Sequence, residues 1–232
     1  EAAKGLTDFR GNVMVLNGDG PLLRTETLAA LADSLDGRSG MALVTCHFSD
    51  PTGLGRIVRG ADGRLSGIVE EKDATDEQRA LTEVNPGVYL FDATVFERAL
   101  QLTNDNAAGE YYITDLPRLY LEAGESVNTV TVEDETELLG VNDKAQLAQA
   151  EHVMRERIRR HWLKRGVTML DPASTFIDDT VELGLDVVLE QGVCLRGSTT
   201  VGDRARIGAY SVVTDQPVPA GTRVAPLSRL GG

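Results

Sequence analysis

At 232 residues, with 41% hydrophobic and 25% charged residues, the chain has an ordinary globular composition and enough length for two domains. The formal net charge of −13 argues against a nucleic-acid partner held through its phosphates, yet leaves small anionic substrates open, because a local site can be positive or hold a metal. No run approaches the roughly eighteen apolar residues of a membrane span. The first residues, Glu1-Ala-Ala-Lys-Gly5, lack the apolar stretch of a secretory signal, and the widely spaced Cys46 and Cys194 read as reduced thiols of a cytoplasmic protein.

In chain order, Val13 to Leu16 is an apolar run that predicts a strand buried on both faces. It leads into the turn Asn17-Gly18-Asp19-Gly20. A helix follows over 25–35, with Leu28, Leu31, Ala32 and Leu35 at helical spacing and Thr25 as its expected cap. Ala42 to Phe48 is a second strand. Ile57 to Arg59 and Leu65 to Glu70 flank Ala61-Asp62-Gly63, a hairpin signal. Val88 to Phe91 reads as a strand, Ala93 to Leu100 and Thr114 to Glu122 as helices, and Val127 to Val132 as the last strand of an α/β domain of Rossmann-like type.

From Lys144 to Arg165 the chain turns basic, with seven Lys and Arg against two Glu, so this segment carries +5 and the rest −18. Leu147, Met154, Ile158 and Trp162 fall on one face of a predicted helix. The narrow apolar stripe favours a solvated linker between two acidic domains over a membrane-surface helix.

Past Asp171-Pro172 the period becomes six. Ile177, Leu183, Leu189, Leu195, Val201, Ile207 and Val213 are all aliphatic, a run expected by chance on the order of once in ten thousand in a fixed register. Such hexapeptide repeats predict a left-handed parallel β-helix, three short strands to a coil, with each aliphatic side chain turned into a triangular core. The register slips by one residue before Val218, Val224 and Leu230. Pro217, Pro219 and Gly221 at that point predict a distorted turn or a small loop. These coils carry no catalytic constellation and read as scaffold.

Candidate chemistry lies in the first domain. A carboxylate at the end of a strand, such as Asp19, occupies the place where open α/β sheets bind ligands, and it could hold Mg²⁺. Gly-Asp after a strand is also ordinary turn chemistry. Gly140-Val141-Asn142-Asp143 reads locally as a helix start capped by Asn142 or Asp143. Gly55 could bring a backbone N–H against a base or ribose, and Glu70 and Asn85 could bond sugar hydroxyls; each has an equally simple reading as a loop or turn residue. The three histidines show no metal spacing.

The order of these motifs is more specific than any one of them. Gly18-Asp19-Gly-Pro-Leu-Leu, Asp50-Pro-Thr-Gly-Leu-Gly-Arg-Ile, Gly67-Ile-Val-Glu-Glu-Lys-Asp-Ala-Thr-Asp-Glu-Gln-Arg, Glu83-Val-Asn-Pro-Gly-Val-Tyr, Asn106-Ala-Ala-Gly-Glu-Tyr-Tyr-Ile-Thr-Asp, Gly140-Val-Asn-Asp and Gly166-Val-Thr-Met-Leu-Asp-Pro follow one another. Together they resemble the bacterial bifunctional N-acetylglucosamine-1-phosphate uridylyltransferases / glucosamine-1-phosphate N-acetyltransferases over nearly the whole chain.

The resemblance implies a Mg²⁺-dependent uridylyl transfer that joins UTP and N-acetylglucosamine 1-phosphate into UDP-N-acetylglucosamine and pyrophosphate. It assigns Asp19 and Asn142 as metal ligands, Asn17, Gly18 and Asp19 as the nucleotide-binding turn, and Gly55, Glu70, Asn85 and Asn142 as contacts to the UDP-sugar. It also implies a homotrimer, acetyl transfer from acetyl-CoA to glucosamine 1-phosphate in the β-helix domain, and products that serve peptidoglycan and envelope synthesis. The implied domains are a partial nucleotidyltransferase domain at 1–143, a linker helix at 144–165 and the first β-helix coils at 166–232. Asn17 stands where the family commonly has an aromatic residue, and Pro86 where it commonly has Thr.

The family's glycine-rich catalytic loop would precede Glu1, and its acetyltransferase residues would follow Gly232. The sequence-based expectation is therefore an internal fragment that is inactive in both reactions. Competing expectations are a related sugar-1-phosphate nucleotidyltransferase with a β-helix tail, acting on another sugar or nucleotide, or a non-catalytic regulatory or assembly subunit of the same fold.

Overall fold

The computed structural model describes residues 9–35 and 40–232. The chain divides into two compact units, 1–142 and 143–232. The helix expected over 25–35 lies within the described residues and ends two residues early, at Asp33, with Ser34 as its C-cap.

The first unit is built on one seven-stranded sheet. Its strands are β1 (Val13–Val15), β2 (Gly40–His47), β3 (Gly55–Arg59), β4 (Leu65–Val69), β5 (Glu83–Asn85), β6 (Tyr89–Phe91) and β7 (Ser126–Val132). The helices are α1 (Thr25–Asp33), α2 (Asp76–Arg79), α3 (Val95–Ala99) and α4 (Leu116–Glu122), with single 3₁₀ turns at Ile113–Asp115 and Glu135–Leu138. β2 is the central strand, and its apolar run is buried on both faces. Met41 and Leu43 enter a core with Tyr89, Phe91, Leu116 and Tyr120, while Ala42 and Val44 enter another with Leu31, Leu35 and Leu90. Strand alternation thus serves two cores, one with α4 and one with α1.

β7 runs parallel to β2 through seven residue pairs from Gly40↔Ser126 to Cys46↔Val132. The other side of β2 is shared by β6, paired at Met41 to Leu43, and β5, paired at Cys46 and His47. β5 and β6 therefore form one interrupted line, broken at Pro86-Gly87-Val88. Beyond that line, β1 pairs antiparallel with β6 and β3 pairs antiparallel with β5, and β4 closes the edge as the partner of β3. The hairpin turn falls where expected, with the Gly63 N–H donating to Gly60 O at 3.0 Å and the Gly60 N–H to Arg64 O at 2.9 Å.

Two local expectations are corrected. β1 is half-buried, because among the described residues it pairs on one side only, with β6. Thr25 is the first helical residue of α1 and makes no cap. The N-cap position is Arg24, whose N–H donates to Glu137 Oε1 at 3.0 Å. Glu137 is 2% exposed and comes from more than a hundred residues downstream, so the helix start is satisfied by a tertiary carboxylate.

The second unit opens with α5 (Lys144–Lys164), capped by Asp143, whose carboxylate accepts from the Gln146 N–H at 2.8 Å. A three-sided parallel β-helix follows. Thr168–Met169, Val188–Leu189, Arg206–Ile207 and Arg223–Val224 form one sheet. Phe176–Ile177, Cys194–Arg196, Val212–Thr214 and Arg229–Leu230 form the second, and Glu182–Leu183, Thr200–Val201 and Pro217–Val218 the third. The seven periodic aliphatic residues from Ile177 to Val213 are all buried in a single core.

Partners across coils are eighteen residues apart in Cys194↔Val212 and seventeen apart in Arg206↔Arg223. The missing residue is taken from the corner ahead of Pro217, where Asp215 adopts φ 53°. Pro217–Val218 itself remains a paired strand. No loop forms because shortening a corner preserves the inward register, whereas a loop within the strand would break it.

Only the C-terminal half of the apolar stripe on α5 is used. Trp162 is buried and Ile158 packs on the coil core, but Leu147 is 54% exposed.

Candidate functional site

The interruption between β5 and β6 creates the site. β1 ends at Val15, opposite Tyr89, and β3 begins at Gly55, opposite Asn85. Both strands lie on the same side of the 83–91 line and run in the same direction. Between the end of one and the start of the other, the sheet has an opening opposite Pro86-Gly87-Val88. The turn Asn17-Gly18-Asp19 leaves β1 into that opening.

Each border of the opening is built from a small set of contacts. Asn17 Nδ2 donates to Pro86 O at 3.4 Å. Gly87 has φ 81°, and a Cβ there would lie 2.2 Å from Asn17 Nδ2, so the amide of Asn17 fills the space that a side chain would need. Asp19 O accepts from the Val141 N–H at 2.9 Å, which pins residues 140–142 against the turn. The Asp19 carboxylate and the Asn142 amide both come within 4 Å of the Cβ position of Gly140. The missing side chain of Gly140 leaves space beside which both polar side chains lie.

On the β3 side, the Glu70 carboxylate lies over Gly55, with its oxygens 3.5 and 3.6 Å from the position a Cβ would take. Glu70 Oε1 also accepts from Thr114 Oγ1 at 2.7 Å. Asn85 is 7% exposed, and both ends of its amide are engaged: Nδ2 donates to Tyr89 Oη at 2.7 Å, and Oδ1 accepts from the Gly87 N–H at 3.3 Å. One N–H and one lone pair stay available to a ligand. Burial, assisted by the charge of Glu70, pushes the Tyr89 phenol up from its ordinary range, against the bond from Asn85, so it is held as a neutral hydroxyl.

A loop closes the same side. Asp73 accepts from the Ala107 N–H at 2.9 Å, and Asn106 orders its own turn through the N–H groups of Ala108 and Glu110. Tyr112 follows this turn. Desolvation first, then the charges of Asp73, Glu70 and Glu110, raise its pKa.

All seven residues singled out in the sequence, Asn17, Gly18, Asp19, Gly55, Glu70, Asn85 and Asn142, belong to this one neighbourhood. Tyr89, Thr114, Gly87 and Gly140 lie within the motifs of the sequence but carry no role that the sequence alone assigns. Tyr89 and Thr114 stand in the motifs, but their side-chain bonds to Asn85 and Glu70 follow only from the folded structure.

Asp19 and Asn142 could supply one carboxylate and one amide oxygen to a metal. That sparse, all-oxygen set suits Mg²⁺, which keeps several waters and takes further oxygens from substrate phosphates. Among the described residues no group of three or more His, Cys, Asp or Glu side chains could cage an ion. Both cysteines are free thiols, Cys46 being buried.

A profile of the family described as Nucleotidyl transferase matches residues 1–163. The chain belongs to that family. As a member of the nucleotidyl transferases it is similar to the "Bifunctional protein GlmU" of Corynebacterium efficiens, at 44% identity over 221 residues, which is 94% of this chain and 46% of that protein. It is 42% identical to the protein of the same name from Limosilactobacillus reuteri, over 94% of this chain and 49% of that one. The one from Syntrophotalea carbinolica is 42% identical over 233 residues, covering 100% of this chain and 50% of its own length. The chain thus spans about half the length of the curated relatives it matches. Among the described residues no helix is long and apolar enough to cross a membrane.

Proposed function

We propose that this nucleotidyl transferase chain carries the sugar and metal side of a uridylyltransferase site, which makes UDP-N-acetylglucosamine from UTP and N-acetylglucosamine 1-phosphate. The observation that carries the proposal is the opening between β1 and β3. It gathers Asp19 and Asn142 at one border and Gly55, Glu70 and Asn85 at the other.

In this reaction a phosphate oxygen of the sugar phosphate forms a bond to the α-phosphorus of UTP. The bond from that phosphorus to the bridging oxygen breaks, and pyrophosphate leaves. Such a displacement asks the protein for alignment and charge compensation rather than a covalent nucleophile. The Asp19 carboxylate and the Asn142 amide would hold Mg²⁺, which when bound offsets the negative charge of the phosphates. The turn Asn17-Gly18-Asp19 would follow the nucleotide. Gly55 would offer its N–H to the UDP-sugar, Glu70 would accept from sugar hydroxyls, and Asn85, held by Tyr89 and Gly87, would add one donor and one acceptor.

The other activity implied by the resemblance is acetyl transfer from acetyl-CoA to glucosamine 1-phosphate. That activity and a homotrimer belong to the proposal for the whole protein. They are supported by the parallel β-helix and by the word "bifunctional" in the relatives' names. A cytoplasmic location is part of the same proposal.

Titration calorimetry of UDP-N-acetylglucosamine into the chain, with and without Mg²⁺, tests the site. Mg²⁺ is expected to tighten binding about tenfold or more, a charge-compensation effect of roughly 1.4 kcal/mol. Asp19→Ala is expected to remove that dependence while leaving the unfolding midpoint in place. Equal affinity with and without Mg²⁺ in the wild type counts against the assignment. Tighter binding of another nucleotide sugar would redirect it to a different substrate.

A further inference from the structure

Arg56 is 2% exposed, among the most deeply buried large side chains of the protein. Burying a guanidinium is unfavourable unless its donors are matched, and an apolar residue of similar volume often stabilises a core as well or better. The contacts of Arg56 show what the charge adds. Nη2 pairs with Glu71 Oε2 at 2.7 Å, Nη1 donates to Leu54 O, and Nε donates to Arg79 O at 3.4 Å. Glu71 Oε2 also accepts from the Gly53 N–H at 3.3 Å, and Arg79 Nε donates back to Glu71 O at 3.4 Å. One guanidinium and one carboxylate therefore tie the 53–55 peptide, the end of β4 and the end of α2 together.

Register explains why this network bears on the site. Arg56 is opposite Val69 in the β3–β4 ladder, which places Gly55 beside Glu70. Neighbouring residues of an extended strand face opposite sides. Arg56 and Glu71 consequently meet on one side, while Gly55 and Glu70 present themselves together to the opening on the other.

We propose that the Arg56–Glu71 ion pair is a positioning device that sets the distance and direction between the Gly55 backbone and the Glu70 carboxylate, and through them recognition of the sugar part of a nucleotide sugar. This rests on the proposed function, because the sugar is taken to lie against Glu70. Neither Arg56 nor Glu71 is required to touch the ligand.

The test compares dissociation constants of UDP and UDP-N-acetylglucosamine, measured by calorimetry with Mg²⁺ present, for the wild type, Glu71→Ala, Glu71→Gln and Arg56→Lys. Near-ultraviolet circular dichroism checks the fold of each. Glu71 is partly exposed, so Glu71→Ala is expected to fold; its UDP-N-acetylglucosamine affinity is expected to fall fivefold or more, with UDP changed less than twofold. Arg56→Lys is expected to behave the same way, since an ammonium cannot span the two carbonyls and the carboxylate. Glu71→Gln keeps an acceptor for both Arg56 and Gly53, and is expected to recover most of the discrimination.

Equal losses for both ligands, or none in either Glu71→Ala or a folded Arg56→Lys, would overturn the positioning role. If Arg56→Lys does not fold, Glu71→Ala and its recovery in Glu71→Gln decide alone. A wild type that binds UDP and UDP-N-acetylglucosamine equally would overturn the sugar site itself, a distinct failure visible before any variant is made.

Discussion

The site depends on single atoms that a composition cannot show. Gly87 illustrates this. Its φ of 81° is in the region that costs an L-residue about 1–2 kcal/mol, and the space above it is already taken by the amide of Asn17. Gly87→Ala is expected to lose about 2 kcal/mol of stability by urea unfolding, and to weaken nucleotide-sugar binding because Asn17 must leave Pro86. An unchanged urea midpoint would show that the backbone is not held at this φ. Gly87 stands in the Glu83-to-Tyr89 motif, yet nothing local says whose side chain fills its missing Cβ. The same holds for Gly140 and the Asp19–Asn142 pair. Residue identity announced the candidates, while the reason each glycine must be a glycine came from a contact distant in sequence.

At the level of elements, periodicity read the chain well where one physical demand dominated. The hexapeptide spacing of Ile177 to Val213 holds because each coil has a single inward position per side. The β2 run was legible because a central strand is apolar throughout. β5 was not anticipated: three residues interrupted by Pro86 give no alternation to count, and only pairing with β2 and β3 makes Glu83–Asn85 a strand. The start of α1 is equally illegible locally, since Glu137, which satisfies it, arrives from far along the chain.

Cross-strand charge pairs are equally non-local, and one of them carries a pH signature. Arg59 of β3 bonds Glu83 of β5 through Nε at 2.7 Å and Nη2 at 2.5 Å. Burial works to raise the Glu83 pKa, but the bonds from Arg59 and Thr45 and the Arg59 charge outweigh it, so the carboxyl titrates below its reference of 4.5. A depressed carboxyl stabilises the folded state fully above its unfolded pKa and loses that contribution as pH falls through the folded value. Arg59→Met is therefore expected to cost about 2 kcal/mol at pH 7. The gap from wild type should stay constant down to about pH 5 and close below about pH 4. Urea unfolding at a series of pH values measures it, and a gap that widens in acid would contradict the sign.

For the whole molecule, the decisive fact is that the two units keep separate cores. Among the described residues, Leu43 belongs to a core drawn from residues 13–127, and Leu195 to one drawn from residues 158–230. Both leucines are fully buried. Truncation of either removes packing worth about 2–5 kcal/mol. That loss should fall on the unit whose core is affected, because the contacts that disappear lie within that unit. Differential scanning calorimetry is expected to resolve two transitions. Leu195→Ala should lower the midpoint of one by several degrees and leave the other in place, and Leu43→Ala should do the reverse. The same division predicts a functional asymmetry: nucleotide-sugar binding at the Asp19–Glu70 site should survive Leu195→Ala at temperatures where the β-helix has begun to melt. If one substitution lowers both transitions together, the cores are thermodynamically coupled and the chain unfolds as a single cooperative body.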